Sequence, residues 1–324
     1  MQMWTWLAAM AASGGAQDAP PATVDLGPVV AQTRAFAASH GDIVWPGYGA
    51  APFGFLLLDA DKETLLCQPG TPSGFTREGV DVATGCERYT RARGKMPATY
   101  LAAMPIVGLP STIVMGTPES TGRPKAAWLR TILHEHFHQW QTSRPDYYTR
   151  VDALDLKGGD ETGMWILNFP FPYDDKKVGS AYAKASHALA DALDKRGAPG
   201  FLKAFDRYLG ARRQFARSVS PREWRYIDFQ LWQEGTARWS EIQLGKMYPD
   251  AEVQKSAFAL EKSTLAALRQ PDLQTQKREL AYPFGGGEAM LMATCGPAWR
   301  EAYPSVLSHS QLLTIARKAC SKPA

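Results

Sequence analysis

The sequence has no concentrated block of positive charge. A formal net charge of +4 is spread over 324 residues, Lys and Arg are scattered among Asp and Glu, and basic residues never run longer than a pair such as Arg212-Arg213. That distribution gives no footing for nucleic-acid binding. No apolar run is long enough to cross a bilayer, so no membrane span is expected in the mature chain. Cysteine is scarce, and none of Cys67, Cys86, Cys295 and Cys320 forms a CxxC pair, which argues against a thiolate zinc site. The run Gly285-Gly286-Gly287 is not followed by Gly-Lys-Ser/Thr and so is not a phosphate loop. There is also no internal repeat and no low-complexity tract.

What is present is the material of a folded protein. Apolar residues make up 45% and charged residues 21%, so a full hydrophobic core is expected. Ten Trp, twelve Tyr and thirteen Phe supply bulky packing groups. Residues 1–16 read as a short export signal, with an apolar stretch from Met3 to Ala12 and small residues from Ser13 to Ala16. Residues 17–23 read as a flexible Pro/Ala-rich leader. An even number of cysteines suits two disulfides and a secreted or periplasmic location. Three pairings are possible; the local ones, Cys67–Cys86 and Cys295–Cys320, are favoured, each worth about 3 kcal/mol by loop entropy.

Residues 24–145 form a candidate N-terminal subdomain of mixed α/β character. Phe53–Leu58 and Ser111–Gly116 look like strands bounded by turn residues. From Ala126 to Ser143 the apolar residues Trp128, Leu129, Ile132, Leu133, Phe137 and Trp140 recur at helical spacing. Gly158–Asp175 has loop and extended character. The remainder, within 146–324, is expected to be mostly helical, over 181–195, 200–219, 222–247, 251–269, 285–294 and 310–319. The fold class is therefore α+β.

The helix at 126–143 carries His134-Glu135-His136-Phe137-His138. Residues four apart on a helix lie about 40° apart around the axis, so His134 and His138 can aim at one point. Zinc asks this of two of its ligands. Glu135, about 100° from His134, can reach a water at the metal and act as general base. His136, about 200° around, points away. An HExxH string arises by chance in about one such sequence in a hundred. A third ligand is needed, and Glu234, in Leu231-Trp232-Gln233-Glu234-Gly235-Thr236-Ala237, is the favoured candidate on a second helix. Arg238 and Glu241 share its face, and Glu241 could accept the free N–H of a ligating histidine. Glu161, beside Asp160 in a loop-like stretch, is the rival ligand.

His134-Glu135-His136-Phe137-His138-Gln139-Trp140 resembles the HExxH-Q-W segment of gluzincins of the zinc aminopeptidase type. Gln233-Glu234-Gly235-Thr236-Ala237, with Glu241, is similar to their later N-E-G-x-A glutamate motif. The resemblance implies Zn2+ held by His134, His138 and Glu234, Glu135 as base, and a peptide or protein substrate. It covers about 20 residues and lacks the G-x-M-E-N segment that holds a substrate's amino terminus, so it points to the wider gluzincin class.

Two further site groups are candidates. Tyr282 precedes the glycine run and could donate to the oxyanion of the transition state, with Arg238 as the competing donor. Ile113-Val114-Met115 could be a cleft-edge strand that pairs with an extended substrate, or an ordinary core strand. The aromatic Trp165–Tyr173 segment could wall the cleft or lock a loop to the core. The expectation is a zincin-like metallopeptidase with its active site between an α/β N-terminal part and a helical C-terminal part. The competing expectation is an exported, non-catalytic binding or scaffold protein with a structural metal or none.

Overall fold

The computed structural model describes residues 26–106 and 109–321; the expected signal segment 1–16 and leader 17–23 lie outside the described residues. The chain opens with α1 (Gly27–Val44), then β1 (Phe55–Leu58), β2 (Lys62–Leu66), β3 (Thr76–Val80), β4 (Glu87–Ala92), β5 (Leu101–Pro105) and β6 (Ser111–Gly116). Helices follow: α2 (Lys125–Thr142), α3 (Tyr147–Asp152), α4 (Trp165–Asn168), α5 (Lys176–Asp194), α6 (Phe201–Arg217), α7 (Pro221–Gln230) and α8 (Thr236–Met247). The last are α9 (Ala251–Ala267), α10 (Leu273–Gln276), α11 (Gly286–Ala293), α12 (Ala298–Ala302) and α13 (His309–Ala319). The mixed α and β content agrees with the expected α+β class.

The chain forms two compact units. The first takes the described residues up to Tyr147 together with Gly159–Leu167 and Leu244–Ser256. Its six-stranded sheet runs in the order β3-β4-β2-β1-β6-β5, antiparallel except for the parallel pair β1 and β6. Burial follows this order. The interior strands β1 and β6 are nearly all buried, whereas edge strand β3 (Thr-Arg-Glu-Gly-Val) is almost wholly exposed. One face packs Leu56, Leu58, Leu65, Tyr100, Met104 and Val114 into a core with Phe75, Tyr89 and Met96 against it. Facing α2, the Phe55 ring meets Trp128 edge-on, at 6.0 Å between centroids.

Helix α2 is fixed to the sheet at both ends. Trp128 Nε1 donates to Gly116 O at 2.8 Å, at the end of β6. Near the other end, Gln139 Nε2 donates to Gly54 O at 2.8 Å and to Ser111 O at 3.0 Å, where β1 and β6 begin. Tyr48 adds a bond to Leu133 O at 2.9 Å. Fourteen residues of α2 are buried, so this is a helix enclosed on most sides rather than a surface helix.

The second unit takes Tyr148–Gly158, Asn168–Gln243 and the described residues from Ala257 onward. Local chemistry sets its helix starts. Asp175 accepts from the backbone N–H groups of Lys177 and Val178, and Ser220 with Glu223 closes a capping box ahead of Pro221. Tyr182, Phe215 and Phe284 pack together in its core, Phe284 edge-on to the other two. The helix expected without interruption from Arg222 to Met247 is broken by a π-helical turn, Leu231–Gly235, between α7 and α8. A second π-turn, Ala281–Gly285, precedes α11. Within the stretch expected to be loop, residues 158–175, Trp165–Asn168 forms the single turn α4.

The disulfides are Cys67–Cys86 and Cys295–Cys320, the favoured local pairing. Their sequence separations, 19 and 25, put each at about 3 kcal/mol on the loop-entropy scale. Among the described residues no helix is long and apolar enough to cross a membrane.

Candidate metal centre

The two turns of α2 that carry His134 and His138 bring their Nε2 atoms within 3.2 Å of each other. Two nitrogens bound to one zinc at about 2.0–2.1 Å with tetrahedral angles stand about 3.3 Å apart, so this spacing matches shared coordination. Gln141 Oε1 lies 2.7 Å from His138 Nδ1. A carbonyl oxygen can only accept, so Nδ1 carries the proton and the Nε2 lone pair is left for a metal. The partner that fixes this tautomer is thus Gln141, three residues along the same helix. Glu241 also pairs with Arg238 Nη1, at 3.1 Å.

His136 points away from the pair, as its angle on the helix required. It sits between Tyr48 and Phe53, with Nδ1 2.9 Å from Gln139 Oε1. Burial lowers its pKa to about 4, more than its hydrogen bonds raise it, so it is neutral. Glu135 is buried at 7% exposure, and among the described residues its carboxylate has no hydrogen-bond or ion-pair partner.

The third donor comes from the first π-turn. Ligand atoms of His134, His138 and Glu234 all lie within 4.8 Å of one another, and all three residues are buried. This group can hold a metal ion. Glu161, the rival, is exposed and is not part of it. Around Glu234, Arg278 Nη1 lies 3.4 Å from Oε1 and 3.3 Å from Gln230 Oε1.

No protein-family model matches this chain, and neither a curated protein nor a solved structure does. The site therefore has to be read from its own chemistry.

The remaining candidates fall as follows. Tyr282 lies half-buried in the second π-turn, with the Arg238 guanidinium 4.9 Å from its ring centre. The two competing oxyanion donors are therefore neighbours. Strand β6 is hydrogen-bonded on both sides, to β1 and β5, so it is the ordinary core strand and has no free edge for a substrate. In the aromatic segment, Phe169 stacks on Tyr226 at 4.2 Å and 7°, and Arg222 lies over its ring. That locks the segment onto α7.

The glycines after the two site residues explain the close approach of the π-turns. A Cβ on Gly235 would lie 2.4 Å from Gly285 Cα, so neither position has room for a side chain. π-turns inside helices are rare and concentrate at functional sites. Here one holds Glu234 and the other Tyr282.

Sequence reasoning missed Arg278 and Gln141. It also missed a buried ionic cluster in the second unit, where Glu288 meets Tyr208, Arg212 and His309, and Arg212 Nη2 reaches Asp228 at 2.8 Å. Burial pushes the Glu288 carboxyl up, but Arg212 and His309 outweigh it and hold the pKa at about 2. In the sequence only the helical phase of Gln141, beside His138, carried a signal.

Proposed function

We propose that this chain is a zinc-dependent hydrolase that cleaves peptide bonds, with a zincin-like centre at His134, His138 and Glu234. The observation that carries the reading is the convergence of two imidazoles and one carboxylate, with the buried Glu135 next to the first histidine. Two nitrogens and one oxygen suit zinc, and three protein ligands are the count of a catalytic rather than a structural site. A metal held by His134, His138 and Glu234 would supply Lewis acidity, to make a water nucleophilic at neutral pH and to polarise the scissile carbonyl.

The chain's own residues do the rest. Gln141 orients His138. Glu135 takes a proton from the attacking water on its carboxylate and returns it to the leaving amine. Tyr282, with Arg238 over its ring, is the candidate donor to the developing oxyanion. Peptide is chosen as substrate on the resemblance of the motifs to gluzincins. Two disulfides suit an oxidising, secreted or periplasmic setting.

The test is metal content and peptidase activity of the purified chain beside Glu234→Ala and Glu135→Gln. About one zinc per wild-type chain is expected, with a large loss in Glu234→Ala. Glu135→Gln should keep its zinc and lose about 10²–10⁴-fold in rate. Absence of zinc from the reconstituted wild type would overturn the reading. Full metal without hydrolysis of any peptide would instead favour a binding protein.

A further inference from the structure

The motif residues do not account for Arg278, whose side chain is only 13% exposed beside Glu234. Its Nη1 donates to Gln230 Oε1 at 3.3 Å and Glu234 Oε1 at 3.4 Å, and Nη2 to Glu279 Oε1 at 3.4 Å. Gln230 immediately precedes the π-turn and Glu234, four residues on, lies within it, so one guanidinium spans the place where the helix departs from α geometry. Just before it, Lys277 takes φ +46°, a backbone state that costs a non-glycine residue about 1–3 kcal/mol. Tyr226, buried, and Tyr173 also feel the Arg278 charge, so the guanidinium is the cation at the centre of this patch.

We propose that Arg278 is a positioning residue for Glu234, holding Oε1 so that the other carboxylate oxygen is presented to the metal. The inference rests on the metal site proposed above. A carboxylate has two equivalent oxygens and can bind a cation through one or both; a donor fixed on Oε1 removes that choice. The contacts support steering rather than sequestration. A tight bidentate arginine pair at about 2.7–2.9 Å would engage both oxygens and compete with the metal. At 3.3–3.4 Å through a single nitrogen, Arg278 fixes orientation and leaves the second oxygen available. It also withdraws electron density from the ligand, leaving a bound cation more electrophilic. Glu279 is half-exposed and sits on the other nitrogen, so it balances charge without entering the ligand geometry.

The experiment uses the full chain, stripped of metal and titrated with Co2+ against a competing chelator, with the visible Co2+ spectrum recorded at saturation. Arg278→Met, Arg278→Lys and Glu279→Gln are compared with wild type, and circular dichroism checks the fold of each metal-free protein. Arg278→Met is expected to weaken Co2+ binding about 10–100-fold and to alter the spectrum as the carboxylate changes its mode of ligation. Arg278→Lys should recover part of the affinity, and Glu279→Gln should match wild type. If Arg278→Met destroys the fold, the Lys variant's spectrum decides: an altered spectrum supports the role and an unchanged one overturns it. Wild-type affinity and spectrum in Arg278→Met overturn the inference while leaving the metal site standing. A wild type that binds no Co2+ overturns the site itself, and this inference with it.

Discussion

Gly235→Ala is the sharpest perturbation of the scaffold around Glu234. The added Cβ would lie 2.4 Å from Gly285 Cα, 2.5 Å from Gly285 C and 3.0 Å from Ala281 O. Carbon atoms in contact prefer about 3.5–4.0 Å, so the two π-turns must part by about 1 Å. All three obstructing atoms are backbone, and no rotamer change can relieve them. Overpacking costs about 1–3 kcal/mol, and separating Leu231, Ala281 and Phe284, all fully buried, argues for the upper end. For a chain of this size 3 kcal/mol corresponds to a fall in Tm of about 4 °C. A displacement of that size exceeds the roughly 0.5 Å tolerance of a preorganised site, so metal affinity should fall as well. The assay is a thermal melt of the metal-free chain followed by Co2+ titration. Gly285→Ala should behave alike, because its Cβ would meet Gly235 Cα at 2.8 Å and Leu231 O at 2.9 Å. Gly210→Ala in α6 is the control: its nearest neighbour is an Arg213 side-chain nitrogen at 3.9 Å, and the gain in helix propensity should stabilise by about 0.5–1 kcal/mol. A Gly235→Ala protein that melts with wild type would refute the account of the paired turns.

Two other perturbations probe the supports of the two units. Glu288, held at about 2 against an ordinary 4.5, contributes stability that is complete above pH 4.5 and is lost as pH falls toward 2, amounting to about 3 kcal/mol. Glu288→Gln should lower stability at pH 7 by about 3–5 kcal/mol, since among the described residues Asp228 is then the one carboxylate left to the buried Arg212, and should flatten that acid dependence. Urea titrations at pH 7 and pH 3 check both, and an undiminished pH slope in the variant would assign the acid response to other groups. Gln139→Leu takes the side-chain donor from Ser111 O and the acceptor from His136, while Gly54 O keeps Ile113 N–H at 2.9 Å; a buried polar group left unmet costs about 1–3 kcal/mol. Unfolding should show a loss of at least about 2 kcal/mol and metal titration a weaker site; equal stability would mean that the Trp128 and Tyr48 hydrogen bonds and the apolar contacts hold α2 without Gln139.

The pattern of α2 was plain in the sequence because six large apolar residues mark its phase and no proline interrupts it before Pro145. Strand β6 was equally plain, a β-branched and apolar run between Pro110 and Gly116. The first helix was not seen, although Val30, Thr33, Phe36, Ala37, Gly41 and Val44 follow helical spacing along its buried side. The Gly and Pro content around it masked a weak amphipathic signal. β3 and β4 were invisible for a different reason: they are polar, β3 largely exposed and β4 half-buried along nearly its whole length, so no alternation toward a core exists to be read. The π-turns have no periodic signature, since one extra residue per turn shifts the phase without breaking it. Arg278 stands in Lys277-Arg278-Glu279, which reads as a solvated stretch; its burial is a property of the tertiary fold.

The same reasoning explains why the candidate centre was more legible than the fold that holds it. Two histidines four apart must be adjacent on any helix, so their geometry is local and follows from sequence alone. Their orientation is settled by groups on the same helix: Gln141 holds His138, and Gln139 ties the helix to Gly54 and Ser111 while engaging His136. Helix α2 therefore uses His136 and Gln139 for attachment and leaves His134, Glu135 and His138 to the proposed centre, a division set by angle around one axis. Glu234 is nonlocal, and its placement depends on a π-turn packed through Gly235 and on Arg278. Changes on α2 should therefore act on the metal through ligand identity and tautomer. Changes around Glu234 should act through position, which makes the Co2+ spectrum, sensitive to geometry, the readout that separates the two.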